Sequence, residues 1–448
     1  MNKSQPAVSR RGFLGMAAGA AAVAGLAACG KSGGGTGGGG SGKSLTFWHP
    51  YTEQERQNAI RAIADKFTQE TGTAVTVEVV PFANFAEKWP AAQAGRTLPD
   101  VAVTTAENAL GMHSAKAIEP MDDIVKALGG DSAFVGGLVD KIGRYDGKVL
   151  ALPHYVHDRL LFHRTDRLKA AGLPKPVTWE DTMEAAIAMT KAPEYYGYVQ
   201  QLSVKDTGGG YLLWILARSN GGHLFDKDGK VTLNSPEVME AIEFITKLGK
   251  KTAPSTSATT PMADSFALLN SGRSSMMVTA AAGMSSALSK APQIAAVLDA
   301  GRMPKKKQYG DLIGAVSFVT PKGRNPEEGQ KFVEFLYRKE NYISFLHSLP
   351  LFMFPALTAA SGPEFYNQPT LQKYRSLVDT TLAGIKNGDN PGFDFGPTPL
   401  SAPFFASHAV ETMLQETIFG GVSLDKAVAS ATKTAQLAID NVKSRTGG

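Results

Sequence analysis

The residues best suited to chemistry follow one another closely near position 155: His154, Tyr155, His157, Asp158 and Arg159. Two histidines beside an aspartate are ligands that zinc accepts. The apolar runs on either side, residues 149–152 and 160–162, are however typical of buried strands. In an extended chain, side chains three residues apart, such as those of His154 and His157, point to opposite faces, which argues against a shared metal. Polar groups buried between strands need partners. The segment therefore indicates either a satisfied polar network or surface loop, or a connection that lines a cleft between two lobes.

No catalytic motif stands out elsewhere in the sequence. Residues 283–287, GMSSA, begin like the G-x-S-x-G turn of a serine hydrolase but end in alanine. The sequence has neither the H-E-x-x-H pair of zinc proteases nor a phosphate-binding Walker loop. We therefore expect a protein that is not an enzyme and that holds no cofactor and no metal.

Length and composition narrow the class of protein. The chain has 448 residues, of which 43% are hydrophobic and 19% charged, which is enough for two lobes with separate cores. The net charge of +5 is spread without a basic block, which argues against nucleic-acid binding. The mean hydropathy is −0.12 and only one apolar stretch is sustained, which excludes a polytopic membrane protein.

The N-terminal segment carries signals for export and not for folding. Arg10-Arg11, followed by the mildly apolar residues 16–28, matches the twin-arginine export pattern. Residues 26–30, LAACG, are similar to the lipoprotein cleavage box, in which the cysteine is acylated, and Cys29 is the only cysteine. We expect a signal peptide at 1–28, lipidation of Cys29 and a Gly/Ser tether at 29–43. The protein would then lie on the extracytoplasmic face of the cell membrane.

The elements that position the candidate residues begin at residue 45. Strand patterns at 45–49, 75–80 and 101–103 alternate with helical patterns at 53–71 and 86–94. Such units form parallel sheets with right-handed crossovers, so the predicted fold class is α/β. Ligands of these sheets bind beyond the C-terminal ends of the strands. The side chains at those ends are Trp48, His49, Tyr51, Asn84, Thr105, Glu107 and Asn108.

The order of the motifs resembles that of the family 1 extracellular solute-binding proteins, which deliver sugars to ABC importers. The motifs are GKVLALP at 147–153, LF at 161–162, LKAAGLP at 168–174, TWED at 178–181 and GRSSMMV at 272–278. The resemblance implies a two-lobed periplasmic-binding-protein-like fold of type II with three inter-lobe crossings. It assigns residues 44–153 and 279–350 to the N-terminal lobe and residues 154–278 and 351–448 to the C-terminal lobe.

The resemblance also implies a carbohydrate site between the lobes, where aromatic rings stack on the sugar and polar side chains bind its hydroxyls. Tyr211 and Trp214 fall where related receptors place such residues, and His157 falls where they place a carboxylate. The other expected contacts are Asp158, Arg159, Phe404 and Phe405. The expected ligand is a monosaccharide or short oligosaccharide and the expected partner an ABC importer permease. The receptor is expected to be a monomer.

Three alternatives stay open. Residues 281–283, AAG, replace the Gly-Pro-Trp turn of many sugar receptors, which argues against a long maltodextrin. This region is similar to the receptors for glycerol-3-phosphate, so that ligand or a glycerophosphodiester is one alternative, with Arg159 as its phosphate partner. A secreted lipoprotein hydrolase on the same fold is the second. The third is a ferric-ion receptor, because Tyr195-Tyr196 resembles the tyrosine pair of that class, although the segment also fits an ordinary strand start.

Overall fold

The computed structural model describes residues 43–204, 206–323 and 325–446, which belong to one compact unit. The predicted export and lipidation signals, Arg10, Arg11 and Cys29, lie outside the described residues, as does most of the predicted tether. Among the helices described, none combines the length and the apolar character that crossing a lipid bilayer requires.

The strands form two main sheets and one hairpin. Within the described residues the strands are β1 (Ser44–His49), β2 (Ala74–Val79), β3 (Val101–Thr105), β4 (Ile118–Glu119), β5 (Arg144–Tyr145), β6 (Lys148–Val149), β7 (Leu152–His157), β8 (Leu160–Arg164), β9 (Tyr196–Val199), β10 (Ser274–Thr279), β11 (Leu298–Arg302), β12 (Gly314–Pro321) and β13 (Phe354–Pro355).

Helices cover the faces of both sheets. Within the same residues they are α1 (Gln54–Thr71), α2 (Phe82–Gly95), α3 (Ala106–Ser114), α4 (Asp122–Ala127), α5 (Thr165–Ala171), α6 (Trp179–Ala188), α7 (Gly208–Ser219), α8 (Pro236–Thr252), α9 (Met262–Asn270), α10 (Ala282–Lys290), α11 (Pro292–Ala295), α12 (Pro326–Leu336), α13 (Lys339–His347), α14 (Pro363–Tyr366), α15 (Pro369–Lys373), α16 (Arg375–Asn387), α17 (Ser401–Ala406), α18 (Ala409–Ile418) and α19 (Leu424–Thr446).

The larger sheet has the strand order β13-β7-β12-β3-β1-β2, with β4 also paired to β12. β1 runs parallel to both β2 and β3, as the strand–helix–strand pattern predicts, and β12 is antiparallel to β3 and β7. The smaller sheet has the order β11-β8-β10-β9. These two sheets are the centres of two α/β lobes, so the predicted fold class is present.

The first connection between the sheets lies later in the chain than the sequence analysis predicts. β7 continues through Pro153 to His157 in the larger sheet, so residues 154–157 belong to the first lobe and not to the second. Proline is tolerated there because the register of β7 against β12 shifts at this point, which leaves His154 as the extra residue of a bulge. The chain crosses at Asp158 and Arg159.

The second connection also lies later. β10, where a crossing was expected near Val278, pairs with β8 and β9 in the smaller sheet. β11, which the sequence analysis does not predict, then pairs with β8. Residues 279–302 therefore belong to the second lobe, and the chain returns between Met303 and Ile313.

The lobe bounds that the resemblance implies put the third connection near residue 350, but β13, at residues 354–355, pairs with β7 in the larger sheet. Leu371, Leu377 and Val378, of α15 and α16, pack into a cluster of buried side chains that includes strands of both sheets. Phe404 and Phe405 of α17 belong to the other cluster, which lies in the second lobe. The chain is therefore in the second lobe by α17, and the third connection includes the residues between α16 and α17.

Candidate functional site

Glu107 connects the two lobes directly. The hydroxyl of Tyr211, on α7, donates a hydrogen bond of 2.6 Å to its Oε1, and Nδ2 of Asn390, in the third connection, donates one of 3.1 Å to its Oε2. Both carboxylate oxygens thus have partners outside the first lobe, one in the second lobe and one in the third connection. A carboxylate held by such donors is suited to accept hydrogen bonds from ligand hydroxyls.

Local sequence explains the position of Glu107. β3 ends at Thr105, whose hydroxyl caps α3 by accepting a hydrogen bond of 3.4 Å from the backbone N–H of Asn108. Glu107 lies in the first turn of α3, where the helix dipole favours a negative charge. The carboxylate is therefore held at the C-terminal edge of the larger sheet, facing α7.

Tyr211 lies between charged and aromatic groups. The guanidinium carbon of Arg159 is 5.8 Å from the centre of its ring, and the ring of Phe405 meets it edge-on with centroids 5.0 Å apart. Burial and then Glu107 raise the pKa of Tyr211 well above 10, so the phenol keeps its proton and remains a donor. A cavity of about 10 Å³ beside it is lined by Arg159, Gln201 and other residues.

Two protein carboxylates accept hydrogen bonds from the N-terminus of α7. The backbone N–H of Gly208 donates a bond of 2.9 Å to Asp206, and that of Gly210 donates one of 2.6 Å to Glu411. Burial raises the pKa of Glu411 to about 7. Two of the backbone N–H groups at the positive end of this helix dipole therefore already have acceptors within the protein.

The three connections meet, and each contributes an aspartate. Asp158 of the first accepts from the backbone N–H of Leu312 in the second, at 3.3 Å, and the N–H of Ile313 donates to the carbonyl oxygen of Asp389 in the third, at 2.8 Å. Burial, followed by Asp311, raises the pKa of Asp158 well above its usual value. The three connections are thus tied to one another by hydrogen bonds.

Arginines neutralise part of this charge. Arg302 pairs with Asp311 through a bidentate contact that includes a 3.0 Å bond from Nε, and Arg218 pairs with Asp389. Burial raises the pKa of Asp311 and of Asp389.

The aromatic residues after β1 lie in the core of the first lobe. Trp48 is 3% exposed and packs edge-on against Trp89, with the ammonium of Lys88 4.5 Å from its ring. Tyr51 is fully buried and its hydroxyl is 2.9 Å from Nδ1 of His154.

His49 and His157 are also packed in the first lobe. The ring of His49 stacks on Tyr51 at 4.8 Å, and that of His157 stacks on Phe352 at 4.9 Å. Burial and then Arg56 lower the pKa of His49 to about 4, and burial and then Arg159 lower that of His157 to about 3. Within the described residues, no group of three or more His, Cys, Asp or Glu side chains is arranged to hold a metal ion.

Trp214, Phe404 and Phe405 lie in the core of the second lobe. Trp214 is 1% exposed and donates from Nε1 to Oδ2 of Asp394 at 2.7 Å. Phe404 packs against Phe225 with centroids 5.3 Å apart. Phe405 is the one of these three whose ring packs against the ring of Tyr211.

The structure therefore brings together Glu107, Arg159, Tyr211 and Phe405 among the predicted contacts. Thr105 and Asn108 act in the cap of α3, Asp158 joins the connections, and Asn84 is exposed in the first half of α2. The sequence analysis missed Asn390, Asp206 and Glu411. Asn390 and Glu411 lie far along the chain from the residues they contact, and no local pattern marks them.

The amino-acid sequence is similar to that of a known family and of individual relatives. The sequence profile of a family described as bacterial extracellular solute-binding protein matches residues 51–343. A putative periplasmic-binding protein of an ABC transporter from Escherichia coli K12, YcjN, is 24% identical over 321 residues, which is 68% of this chain and 71% of that protein.

Solved structures share the two-lobed fold. A solute-binding protein from Thermotoga lettingae TMO, with bound α-D-tagatose, is 19% identical with a TM-score of 0.74, covering 89% of this chain and all of the other. A second, from Agrobacterium radiobacter K84 in complex with ribitol, is 20% identical with a TM-score of 0.75, covering 88% and 98%. This likeness confirms the predicted fold.

Proposed function

The chain belongs to the bacterial extracellular solute-binding proteins, which bind small molecules and work with ABC importer permeases, and on that premise we propose that it captures a neutral carbohydrate between its lobes. The ligand is a monosaccharide, a sugar alcohol or a short oligosaccharide. The protein acts as a monomeric receptor and not as an enzyme.

The observation that carries this proposal is the pairing of Glu107 with Tyr211 and Asn390 across the cleft. The three side chains offer a carboxylate, a phenol and an amide, the groups that bind vicinal hydroxyls, and Arg159 and Phe405 flank the phenol. The cavity beside Tyr211, which Arg159 and residues of the second lobe line, measures about 10 Å³, too little for a sugar ring, so in this proposal a ligand enters when the lobes separate.

Charge favours a neutral ligand over glycerol-3-phosphate. The two amides of α7 described above already donate to Asp206 and Glu411, so a phosphate would have to displace a carboxylate to use them. Arg159, the cation proposed for phosphate, is buried at 7% exposure, and Asp158 and Asp206 act on its charge. The tagatose and ribitol of the similar structures are a neutral sugar and a neutral sugar alcohol, which agrees with this choice.

Thermal-shift screening tests the ligand class. We expect at least one neutral compound among D-tagatose, ribitol, D-mannitol and maltose to raise the melting temperature, because a ligand at a hundredfold excess over its dissociation constant adds about 2.7 kcal/mol of stability. Glycerol-3-phosphate at the same concentration serves as the charged comparison and should give no shift. A shift with glycerol-3-phosphate alone would reverse the assignment, and turnover of p-nitrophenyl glycosides would indicate a hydrolase.

We further propose that the protein is exported by the twin-arginine pathway and anchored through Cys29. Cys29→Ala should move the protein from the membrane fraction to the soluble fraction, because each buried methylene of an acyl chain contributes about 0.8 kcal/mol to membrane binding. Ser41→Ala, in the same tether, is the matched control and should remain in the membrane fraction. If Cys29→Ala also remains there, the protein is not held by a lipid on this cysteine.

A further inference from the structure

Glu411 is a buried carboxyl group that contacts no ligand in the proposed function. It lies in the first turn of α18 and is 1% exposed. Its Oε1 accepts a hydrogen bond of 2.6 Å from the backbone N–H of Gly210, in the first turn of α7. Glu411 and Gly210 are 201 residues apart in the chain, so this contact exists only in the folded second lobe.

The start of α7 packs so closely against Glu411 and Phe405 that Gly209 and Gly210 have little room for a side chain. A Cβ on Gly210 would lie 2.9 Å from Cδ1 of Phe405 and 3.3 Å from Oε1 of Glu411. A Cβ on Gly209 would lie 3.3 Å from Cγ of Glu411. The two glycines thus let the start of α7 approach the carboxylate and the Phe405 ring more closely than any other residue would.

The next residue of α7 is Tyr211, which makes the inter-lobe hydrogen bond to Glu107. Its ring packs edge-on against Phe405, the same ring that leaves no room for a side chain on Gly210. A shift of the first turn of α7 would therefore move the phenol hydroxyl relative to Glu107. A charge-assisted hydrogen bond weakens steeply when its geometry is lost.

We propose that Glu411 is a positioning residue of the cleft, whose carboxyl group holds the first turn of α7 and thereby sets the distance between Tyr211 and Glu107. The inference rests on the proposed function only in that the cleft it controls is the ligand cleft. Glu411 touches no ligand in this proposal and acts through Tyr211.

The surroundings of Glu411 make this control dependent on pH. Asp206, in the segment before α7, acts on its charge, and Nδ1 of His408, at the start of α18, is 3.9 Å from its Oε2. The amides of Gly209 and Gly210 face it from α7, and α17 contributes the apolar Phe405 beside them. Burial outweighs the two amides and raises the pKa of Glu411 to about 7.

Proton linkage determines whether the closed population rises or falls with pH. In this proposal, closure of the lobes removes water from the start of α7 and brings the carboxylate of Glu107 to Tyr211 of that helix, and both changes would favour the protonated form of Glu411. Closure therefore takes up a proton, and the closed population should fall as pH rises through about 7. If closure raises the pKa by one unit, the closed-to-open ratio falls about fivefold between pH 6 and pH 8.

Distances between spin labels on the two lobes test the proposal without any ligand. The full chain carrying Cys29→Ser, Asp123→Cys and Lys227→Cys places labels on exposed positions of the first and second lobes. We expect the fraction of molecules that show the label-to-label distance of the closed form to fall between pH 6 and pH 8. Glu411→Gln should give a flat profile close to that of the unchanged protein at pH 6, because the amide still accepts from Gly210 and carries no charge.

Two further variants separate positioning from folding. Glu411→Ala removes the acceptor and should lower the closed population at both pH values, while Glu416→Gln, on the same helix, should keep the original profile. Circular dichroism confirms that each variant is folded. An unchanged closed population in Glu411→Ala overturns the positioning role. A flat profile in the unchanged protein, or an unchanged profile in Glu411→Gln, overturns the dependence on pH through this carboxyl group. Since no ligand is added, failure of the carbohydrate screen would not alter this result.

Discussion

Replacing Glu107 with alanine is expected to weaken binding of the carbohydrate found in the screen by about 2–4 kcal/mol, or roughly 30- to 900-fold. The carboxylate is 5% exposed, and its two oxygens accept from Tyr211 and Asn390 across the cleft. Without it, these donors lose their acceptor when the lobes close, and a ligand hydroxyl loses a charged partner. Titration calorimetry measures the change.

The free energy of unfolding should change much less in this variant, because Tyr211 and Asn390 reach water when the lobes open. Glu55→Ala is the matched control: Glu55 also lies in the first turn of a first-lobe helix, but it is exposed. We expect wild-type affinity for Glu55→Ala. Wild-type affinity in Glu107→Ala as well would mean that the ligand binds away from the contact between Glu107 and Tyr211.

Gly384→Ala is expected to lower the free energy of unfolding by about 3 kcal/mol, the upper end of the range for an overpacked core. A Cβ on this residue of α16 would lie 1.6 Å from Oδ2 of Asp158 and 2.5 Å from its Cγ. Asp158 is fully buried, and its Oδ1 is held by the backbone N–H groups of Arg159 and Leu312. Neither the helix nor the carboxylate can therefore move away easily. Urea unfolding measures the loss.

A double-mutant cycle identifies the cause. In an Asp158→Ala background the added methyl group meets no carboxylate, so Gly384→Ala should then cost less than about 1 kcal/mol. Gly362→Ala is the matched control, because a Cβ there meets nothing within 4 Å and the backbone φ of −107° suits any residue. If Gly384→Ala is equally costly in both backgrounds, its effect arises outside the first connection between the lobes.

The first connection between the lobes shows why a local sequence pattern can place the end of a strand wrongly. The apolar run 149–152 stops before Pro153, and the predicted first lobe segment ends there, because proline removes a donor from a sheet. The bulge at His154 allows the strand to continue, and the hydroxyls of Tyr337 and Tyr342 satisfy the carbonyl oxygens of Pro153 and His154. Both tyrosines lie more than 180 residues away from these carbonyls. A sequence pattern of a few residues contains no sign of such partners.

The aromatic residues show a second limit of prediction from sequence, which concerns the side chains that line the cleft. Trp48 and Trp214 follow the expected pattern of cleft residues, yet both are buried in the core of one lobe, Trp214 with Asp394 as its partner. An aromatic ring near a strand end or on a helix has the same local sequence whether it faces a ligand or the interior. Only the packing of the surrounding elements distinguishes the two.

The sequence by itself determined the α/β class, the two lobes and the family, because hydrophobic periodicity and the order of short motifs are properties of neighbouring residues. The tertiary structure alone decided which side chains meet at the cleft. Glu107 is 104 residues from Tyr211 and 283 from Asn390, and Glu411 is 201 from Gly210. Contacts across such separations form only when both lobes fold and their three connections bring them together, so the geometry of the site is a property of the whole chain.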